Sequence, residues 1–213
     1  MVARLVFGAL LVFASLPASA DVVFSDSPAS YNTTDAWSAT TSLYTAAPFV
    51  ASANYDLTQL DLGLFNPGLT GDDSVMITLV SDSSGLPGAT IESWTVSSVP
   101  ENCCTLVTVT PTQTVLLAAG EQYWVIAQAT DPATVDYWGD NKGTSNNPAF
   151  PDNYSGTVAT NNGTGWTLHD DITPAFDVLG DPVSPVPEPK SGLPLAAVAI
   201  AVMIAIRRRS AVS

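Results

Sequence analysis

Short runs of alternating apolar and polar residues fill the middle of this chain, and clusters of turn-forming residues separate them. In the clearest run, residues 60–64, three leucines alternate with Asp61 and Gly63. Such alternation places the leucines on one face of a β-strand, and no stretch of the middle shows the 3.6-residue period of an amphipathic helix. The pattern therefore predicts a half-buried strand at 60–64 and a chain that is mainly β.

The same pattern recurs at short spacing along the chain, with turn sequences such as Asn66-Pro67-Gly68 between the runs. Further strands are predicted at 74–81, 91–96, 105–110, 114–117, 122–129 and 175–179. Residues 131–174, rich in Asp, Asn, Gly, Thr and Pro, are expected to be looser. Many short strands joined by turns predict an all-β fold: one antiparallel, jelly-roll-like β-sandwich domain over residues 21–180.

The acidic residues are confined to the middle of the chain. All 20 lie between Asp21 and Glu188, where Lys142 is the only base, so this segment carries 19 negative charges at neutral pH. Such a surface repels nucleic acid and anionic lipid, which argues against both as partners. It suits solubility, cation binding or neutral glycans.

The N-terminus has the parts of a secretory signal peptide. Arg4 precedes an apolar stretch, residues 5–16, and Ala18-Ser19-Ala20 supplies the small residues of a cleavage site. Residues 1–20 are therefore expected to be removed, so that the mature chain starts at Asp21. A retained membrane helix is the alternative interpretation.

The end of the chain combines a Pro-rich linker, an apolar run and an arginine cluster. The linker, predicted to be extended over residues 181–190, contains Val186-Pro187-Glu188-Pro189 and leads to an uncharged apolar run at 192–206. As a helix this run is about 22 Å long, and flanking basic side chains extend its span toward the ~30 Å hydrocarbon core. We expect one transmembrane helix, with Arg207, Arg208 and Arg209 on the cytoplasmic side. A buried core helix is the alternative.

Residues 185–209 together resemble the PEP-CTERM sorting tail of bacterial exported proteins. The resemblance implies that an exosortase-type sorting protease recognises the tail and cuts near Pro187-Glu188-Pro189. It also implies an inner-membrane intermediate and then a place at the cell surface or in the extracellular matrix. Families with this tail are associated with exopolysaccharide and biofilm.

The middle of the chain carries a second resemblance, over residues 22–180. The motifs, in order, are Pro48-Phe49, Tyr55-Asp56-Leu57, Gly85-Leu86-Pro87-Gly88, Leu117-Ala118-Ala119-Gly120, Tyr123-Trp124, Trp166 and Ala175-Phe176. Their order is similar to that of the choice-of-anchor extracellular domains. Because these are mostly turn and core residues, the resemblance implies a β-sandwich and no activity.

Cys103 and Cys104 are adjacent and are the only cysteines. Neighbouring Cα atoms are about 3.8 Å apart, less than the ~4.4–6.8 Å of an ordinary disulfide, so a bond between them would close a strained ring. Export permits oxidation. A vicinal disulfide, an intermolecular bridge and two buried thiols all remain open, and a structural role is favoured over redox chemistry.

Catalytic residues are not expected in this chain. His169 is the only histidine and is flanked by Asp170 and Asp171, but the chain has no Gly-x-Ser-x-Gly sequence. Adjacent carboxylates such as Asp72 and Asp73 are poor evidence for glycoside hydrolysis, which needs two carboxylates across a cleft. We interpret His169 as an exposed loop residue, and a secreted, glycan-directed hydrolase remains the least favoured alternative.

No cofactor is expected, with Ca²⁺ as the one alternative. Asp136, Asp140 and Asn141 offer hard oxygen ligands on a predicted loop, although their spacing differs from that of an EF-hand. Solvated carboxylates are the simpler interpretation of these residues.

Carbohydrate binding is the most specific hypothesis for a site. Tyr137, Trp138, Tyr154 and Trp166 lie in the polar, loop-rich region, where aromatic faces beside Asn and Asp side chains can stack on sugars. Core or edge packing is the alternative for these aromatics. Trp94 and Trp124 lie in apolar strands and are predicted to be core residues.

The sequence thus predicts an exported, acidic, non-catalytic surface or matrix protein. Its expected partners are a sorting protease, the membrane through the C-terminal helix and, in one version, extracellular polysaccharide. A carbohydrate-binding module is the first alternative.

Overall fold

The computed structural model describes residues 20–26, 32–68, 73–101, 105–140 and 155–183. The predicted signal peptide apart from its last residue, Ala20, the Cys103-Cys104 pair and the predicted tail from residue 184 onward lie outside the described residues. Within the described ranges, no helix is long and apolar enough to cross a membrane.

The described residues form an all-β structure whose strands pair antiparallel throughout. In chain order, the strands are β1 (Asp21–Ser25), β2 (Asn32–Ala39), β3 (Tyr44–Val50), β4 (Tyr55–Leu62), β5 (Leu64–Phe65), β6 (Val75–Asp82), β7 (Pro87–Val96), β8 (Val107–Val109), β9 (Leu116–Leu117), β10 (Gln122–Ala129), β11 (Asp136–Asp140), β12 (Ser155–Asn161), β13 (Trp166–Ile172) and β14 (Phe176–Pro182).

These strands build three sheets. The six-stranded sheet has the order β13-β12-β3-β10-β6-β7, and the five-stranded sheet has the order β1-β14-β4-β8, with β9 also paired to β4. The third sheet has the order β2-β11-β5. Strand β10 lies between β3 and β6, and its nearly continuous apolar sequence fits a strand that is covered on both faces.

One hydrophobic core receives side chains from all three sheets. Leu60, Leu62 and Val178 come from the five-stranded sheet, and Ile77 and Val125 come from the six-stranded sheet. The third sheet adds its own buried residues, Ala39, Leu64 and Trp138. A smaller cluster lies on the other face of the six-stranded sheet, which we call the outer face, and consists of Ala46, Val80, Trp124 and Ala159.

A ring of three backbone hydrogen bonds joins the point between β4 and β5 to β11 and to the residue before β14. Gly63 N donates to Ala175 O (2.9 Å), Ala175 N donates to Gly139 O (2.8 Å) and Gly139 N donates to Gly63 O (2.8 Å). Trp138 Nε1 also donates to Ala175 O, at 2.8 Å. The break between β4 and β5 at Gly63, the strand β11 and the start of β14 are thereby held to one another.

An aromatic cluster packs beside this ring, with Phe176 in the middle. Its ring centroid lies 4.8 Å from that of Phe24, 5.7 Å from that of Trp138 and 6.3 Å from that of Phe49. These four residues belong to β14, β1, β11 and β3, so the cluster connects all three sheets.

Several predicted strands are confirmed. Strand β10 has the predicted bounds, β6 lies one residue later than predicted, and Trp94 and Trp124 are both buried. The strand predicted at 60–64 begins earlier, at Tyr55, and breaks at Gly63. It is also not half-buried, because Asp61 is enclosed and accepts hydrogen bonds from Gln59 and Thr108.

The prediction of a loose region at 131–174 is wrong for its described residues, because they contain β11, β12 and β13, while residues 141–154 lie outside the described residues. Their polar composition lacks the apolar pattern by which a strand is predicted from sequence. A strand such as β11 is ordered by its pairing with β2 and β5 instead. Strands β1, β2 and β3 were not predicted either. The segments predicted at 105–110 and 114–117 shorten to β8 and β9, and β14 continues through Pro182 into the predicted linker.

Replacing Phe176 with alanine is expected to lower the free energy of unfolding by about 3–5 kcal/mol, because it leaves a cavity where the three sheets meet. Leu116, which is 56% exposed, gives a matched control. The Leu116→Ala change should alter stability by less than about 0.5 kcal/mol. Urea unfolding followed by circular dichroism measures both, and equal stabilities of the two variants would contradict this account of the core.

Candidate functional site

Trp138 cannot serve as a sugar-stacking platform, and that part of the glycan hypothesis is wrong. Its side chain is 0% exposed, packs edge-on against Phe176 and donates its indole N–H to Ala175 O. A Trp with a satisfied N–H inside a core contributes packing and not recognition. The sequence did not show that this Trp is buried, because its neighbours in the chain, Asp, Tyr and Gly, are also common around exposed Trp residues in loops.

The other aromatic candidates lie apart from one another. Tyr137 stacks on Phe65 in the third sheet, with ring centroids 5.7 Å apart. Trp166 lies at the start of β13 and meets Tyr44 edge-on, with centroids 5.5 Å apart. Both rings are partly exposed, whereas Tyr154 lies outside the described residues. Tyr137 and Trp166 therefore belong to different sheets and pack against different aromatic partners, and they do not form one aromatic platform.

The carboxylates considered for calcium lie on a strand, not on a loop as expected. Asp136 and Asp140 are buried in β11, and Asn141 falls outside the described residues. Asn66 Nδ2 donates to Asp136 Oδ1 (2.9 Å) and to Asp73 Oδ1 (2.7 Å). Among the residues that the structure describes, no group of three or more His, Cys, Asp or Glu could hold a metal ion. Calcium binding stays a prediction.

His169 is a strand residue in β13, so its assignment to an exposed loop is wrong. Its Nε2 atom lies 2.9 Å from Thr160 Oγ1, and its ring lies 6.0 Å from the ring of Trp37. Neither of these contacts is with a carboxylate. Asp171 Oδ1 instead accepts the backbone N–H of Ile172, at 2.8 Å, and Asp170 is exposed to solvent. Asp72 lies outside the described residues.

A cleft that the sequence did not predict opens between β3 and β12. The two strands pair at 44–46 and 159–161, and in the same register Pro48 would face Thr157. Proline has no backbone N–H to donate, which is why it is rarely found between two paired strands. The strands separate here, and Pro48 and Thr157 both line the opening. The Pro within an apolar run, residues 46–51, was the only signal in the sequence.

The cleft encloses about 540 Å³. Its lining consists of Phe24, Pro48, Phe49, Val50, Gly85, Gln122, Trp124, Gly156, Thr157, Leu168 and Thr173. None of these side chains is ionisable. Apolar walls with a few amide and hydroxyl groups suit non-covalent binding of an uncharged ligand, and this lining supplies no general acid or base.

Asp82 does not line the cleft itself but accepts hydrogen bonds from three residues that do. Its Oδ1 atom accepts hydrogen bonds from Gln122 Nε2 and Trp124 Nε1, both at 2.8 Å, and its Oδ2 atom accepts the backbone N–H of Gly85 at 2.9 Å. Gly85 has a φ of 82°, which a glycine adopts without strain. The three donors all line the cleft, so this one carboxylate positions three lining residues.

The same hydrogen bonds hold the pKa of Asp82 below its ordinary value of 3.8. The Gly85 N–H contributes most and the Trp124 and Gln122 donors add to it, while partial burial acts in the opposite direction. Donors aimed at a carboxylate favour its charged form. Asp82 therefore stays ionised across the neutral range.

Comparison with known proteins gives no match, either to a family model or to a curated protein. The chemistry of the cleft and the features of the sequence therefore carry the functional argument.

The substitution Asp82→Asn is expected to lower the free energy of unfolding at pH 7 by about 1–3 kcal/mol, since the amide cannot accept hydrogen bonds with both terminal atoms. A depressed folded-state pKa stabilises the fold above the unfolded pKa, and this stabilisation is lost as the pH falls through the folded value. The stability difference between wild type and variant should thus shrink below pH 3.8. Urea unfolding at several pH values measures it, and a difference that grows in acid would contradict the assignment.

Proposed function

We propose that this chain is an exported, non-catalytic protein of the bacterial cell surface or extracellular matrix. The observation that carries the proposal is the order of features at the C-terminus: Pro187-Glu188-Pro189, the apolar run 192–206, and then Arg207, Arg208 and Arg209. The signal-peptide pattern at residues 1–20 supports export. The resemblance of the tail to PEP-CTERM sequences supports sorting by an exosortase-type protease.

The exported part is in this proposal a jelly-roll-like β-sandwich of the choice-of-anchor type. The chain passes repeatedly between the five-stranded and six-stranded sheets, and the two sheets share one core, which supports the sandwich arrangement. The 19 negative charges of the segment keep it soluble once it has left the membrane.

A non-catalytic role is supported by the chemistry of the described surfaces. The cleft lacks an ionisable lining residue, and the ring contacts of His169 are with a threonine and a tryptophan. General acid–base chemistry needs a titratable group within hydrogen-bond reach of a bound substrate.

Intact-mass analysis of the native protein from membrane, surface and medium fractions tests the sorting proposal. We expect a chain that starts at Asp21 and ends near Pro187-Glu188-Pro189. Replacing these three tail residues with alanine should abolish the second cut and leave signal-peptide removal intact, while Ser184→Ala, in the same linker but outside residues 185–209, should be processed normally. A native chain that still contains residues 192–206 would contradict sorting and leave a membrane-anchored ectodomain.

A second candidate function is binding of a neutral glycan, and the cleft beside Pro48 favours it. Gln122 and Thr157 offer amide and hydroxyl groups for sugar hydroxyls, while Val50 and Leu168 offer apolar surface for the faces of sugar rings. The uncharged lining fits a neutral polysaccharide better than an anionic one, which the acidic domain would repel.

Leu168 and Leu116 are exposed to similar extents, 47% and 56%, but only Leu168 lines the cleft. If the cleft binds glycan, Leu168→Ala should weaken binding by about tenfold, the effect of losing ~1.4 kcal/mol of contact. Leu116→Ala should leave it unchanged. Isothermal titration with a panel of neutral oligosaccharides measures both, and the absence of binding by the wild type, or equal binding by both variants, would remove this candidate.

A further inference from the structure

The edge strands of the two larger sheets differ in how well they are protected against pairing with another strand. An edge strand directs every second pair of N–H and C=O groups away from its neighbour, which makes it a template for another strand. The six-stranded sheet ends at β13 and β7, and the five-stranded sheet ends at β1 on one side and at β8 and β9 on the other.

Three of these edges are protected. Strand β13 carries two exposed carboxylates, Asp170 and Asp171, and its Ile172 carbonyl accepts the indole N–H of Trp37 at 2.8 Å. Strand β1 has a bulge after Val22 and an exposed Asp21. Strands β8 and β9 are only three and two residues long. Charge, bulges and short length are the usual means of preventing edge-to-edge pairing.

Strand β7 is the exception. It has ten residues, and the bulges in its pairing with β6 are confined to the half near Pro87. From residue 92 to residue 96 it pairs with β6 in an unbroken register. The exposed side chains of this half, Ser93 and Thr95, are uncharged.

The single acid of β7 is turned away from solvent. Glu92 is 6% exposed, and its Oε1 atom accepts hydrogen bonds from the backbone N–H and the hydroxyl of Thr112, both at 2.6 Å. Residues 21–180 contain 18 acids and one base, yet this domain keeps one long, regular edge of its described part free of exposed charge.

We propose that residues 92–96 of β7 pair antiparallel with the same residues of a second copy of this chain. Antiparallel pairing of one segment with itself obeys two-fold symmetry, so both copies contribute the same surface. Ser93 and Thr95 of the two copies then lie side by side, where hydroxyl groups hydrogen-bond across strands and no like charges face each other.

The carboxylates at the opposite edge of the sheet do not prevent two copies from meeting at β7. The carboxylates of β13 lie five strand spacings from β7, about 24 Å away. That distance exceeds the screening length of about 8 Å at physiological ionic strength, so the acidic edges of two copies do not oppose the contact. The pairing joins two six-stranded sheets into one continuous sheet and doubles the number of clefts in each particle. This inference is independent of how the tail is processed.

Sedimentation velocity of the full chain in density-matched detergent tests the pairing. We expect a dimer for the wild type, and at least about tenfold weaker dimerisation for the double variant Ser93→Asp/Thr95→Asp, because four like charges would then meet at the contact. Thr167→Asp places the same substitution on exposed edge strand β13 and should leave the dimer unchanged. Association through the tail would persist in every variant and would overturn the proposal.

Mixing supplies a second, independent measurement. The double variant Ser93→Lys/Thr95→Lys should be monomeric alone and should form a heterodimer when mixed with the double Asp variant. If either variant fails to fold, hydrogen exchange of the wild type replaces the mixing experiment: the amides of 92–96 should exchange more slowly at high than at low protein concentration. A monomeric wild type, or a dimer whose 92–96 amides show no such protection, overturns the proposal.

Discussion

A closed ring of backbone hydrogen bonds between Gly63, Ala175 and Gly139 joins strands of the five-stranded sheet to the third sheet. Each of these residues lies where a regular strand ladder is interrupted, so each has backbone groups that need a partner inside the core. Because they satisfy one another, the chain can change sheets at this point without leaving buried polar groups unpaired. Trp138 and Phe176 are the chain neighbours of Gly139 and Ala175, and the contacts of Phe176 with Trp138 and Phe49 connect the three sheets.

Three tryptophan side chains also satisfy polar groups between distant segments, each through a hydrogen bond from its indole N–H. Trp94 donates to Thr110 O, Trp37 donates to Ile172 O and Trp124 donates to Asp82, all at 2.8 Å. Each indole buries a large apolar surface while its N–H pairs with a group that a loop or strand end leaves free. The Asp82 contact shows how this arrangement shapes the cleft: a buried core residue and a lining residue share one carboxylate.

Acidic residues have two different roles in this domain. Carboxylates such as Asp170 are exposed to solvent, add to the negative surface charge and disfavour pairing of another strand with the edge strand β13. Others, such as Asp61, Asp136 and Glu92, are enclosed and organise neighbouring hydroxyl and amide groups through hydrogen bonds. The net charge of the sequence counts both kinds equally, although only the first kind stands at the surface where a partner would make contact. The uncharged edge at β7 and the uncharged cleft are therefore visible only in the fold.

The sequence alone was sufficient to predict the β class and the strands β6 and β10, because each is an apolar segment of strand length between turn residues. It also carries the signals at both ends of the chain, which depend on composition and order and not on packing. Other features follow only from the folded structure: β11 and β13 are strands, Trp138 is buried while Trp166 is partly exposed, and Pro48 lines a cleft. The reason is physical: a polar strand is ordered by its hydrogen-bonded neighbours, and those neighbours come from distant parts of the chain.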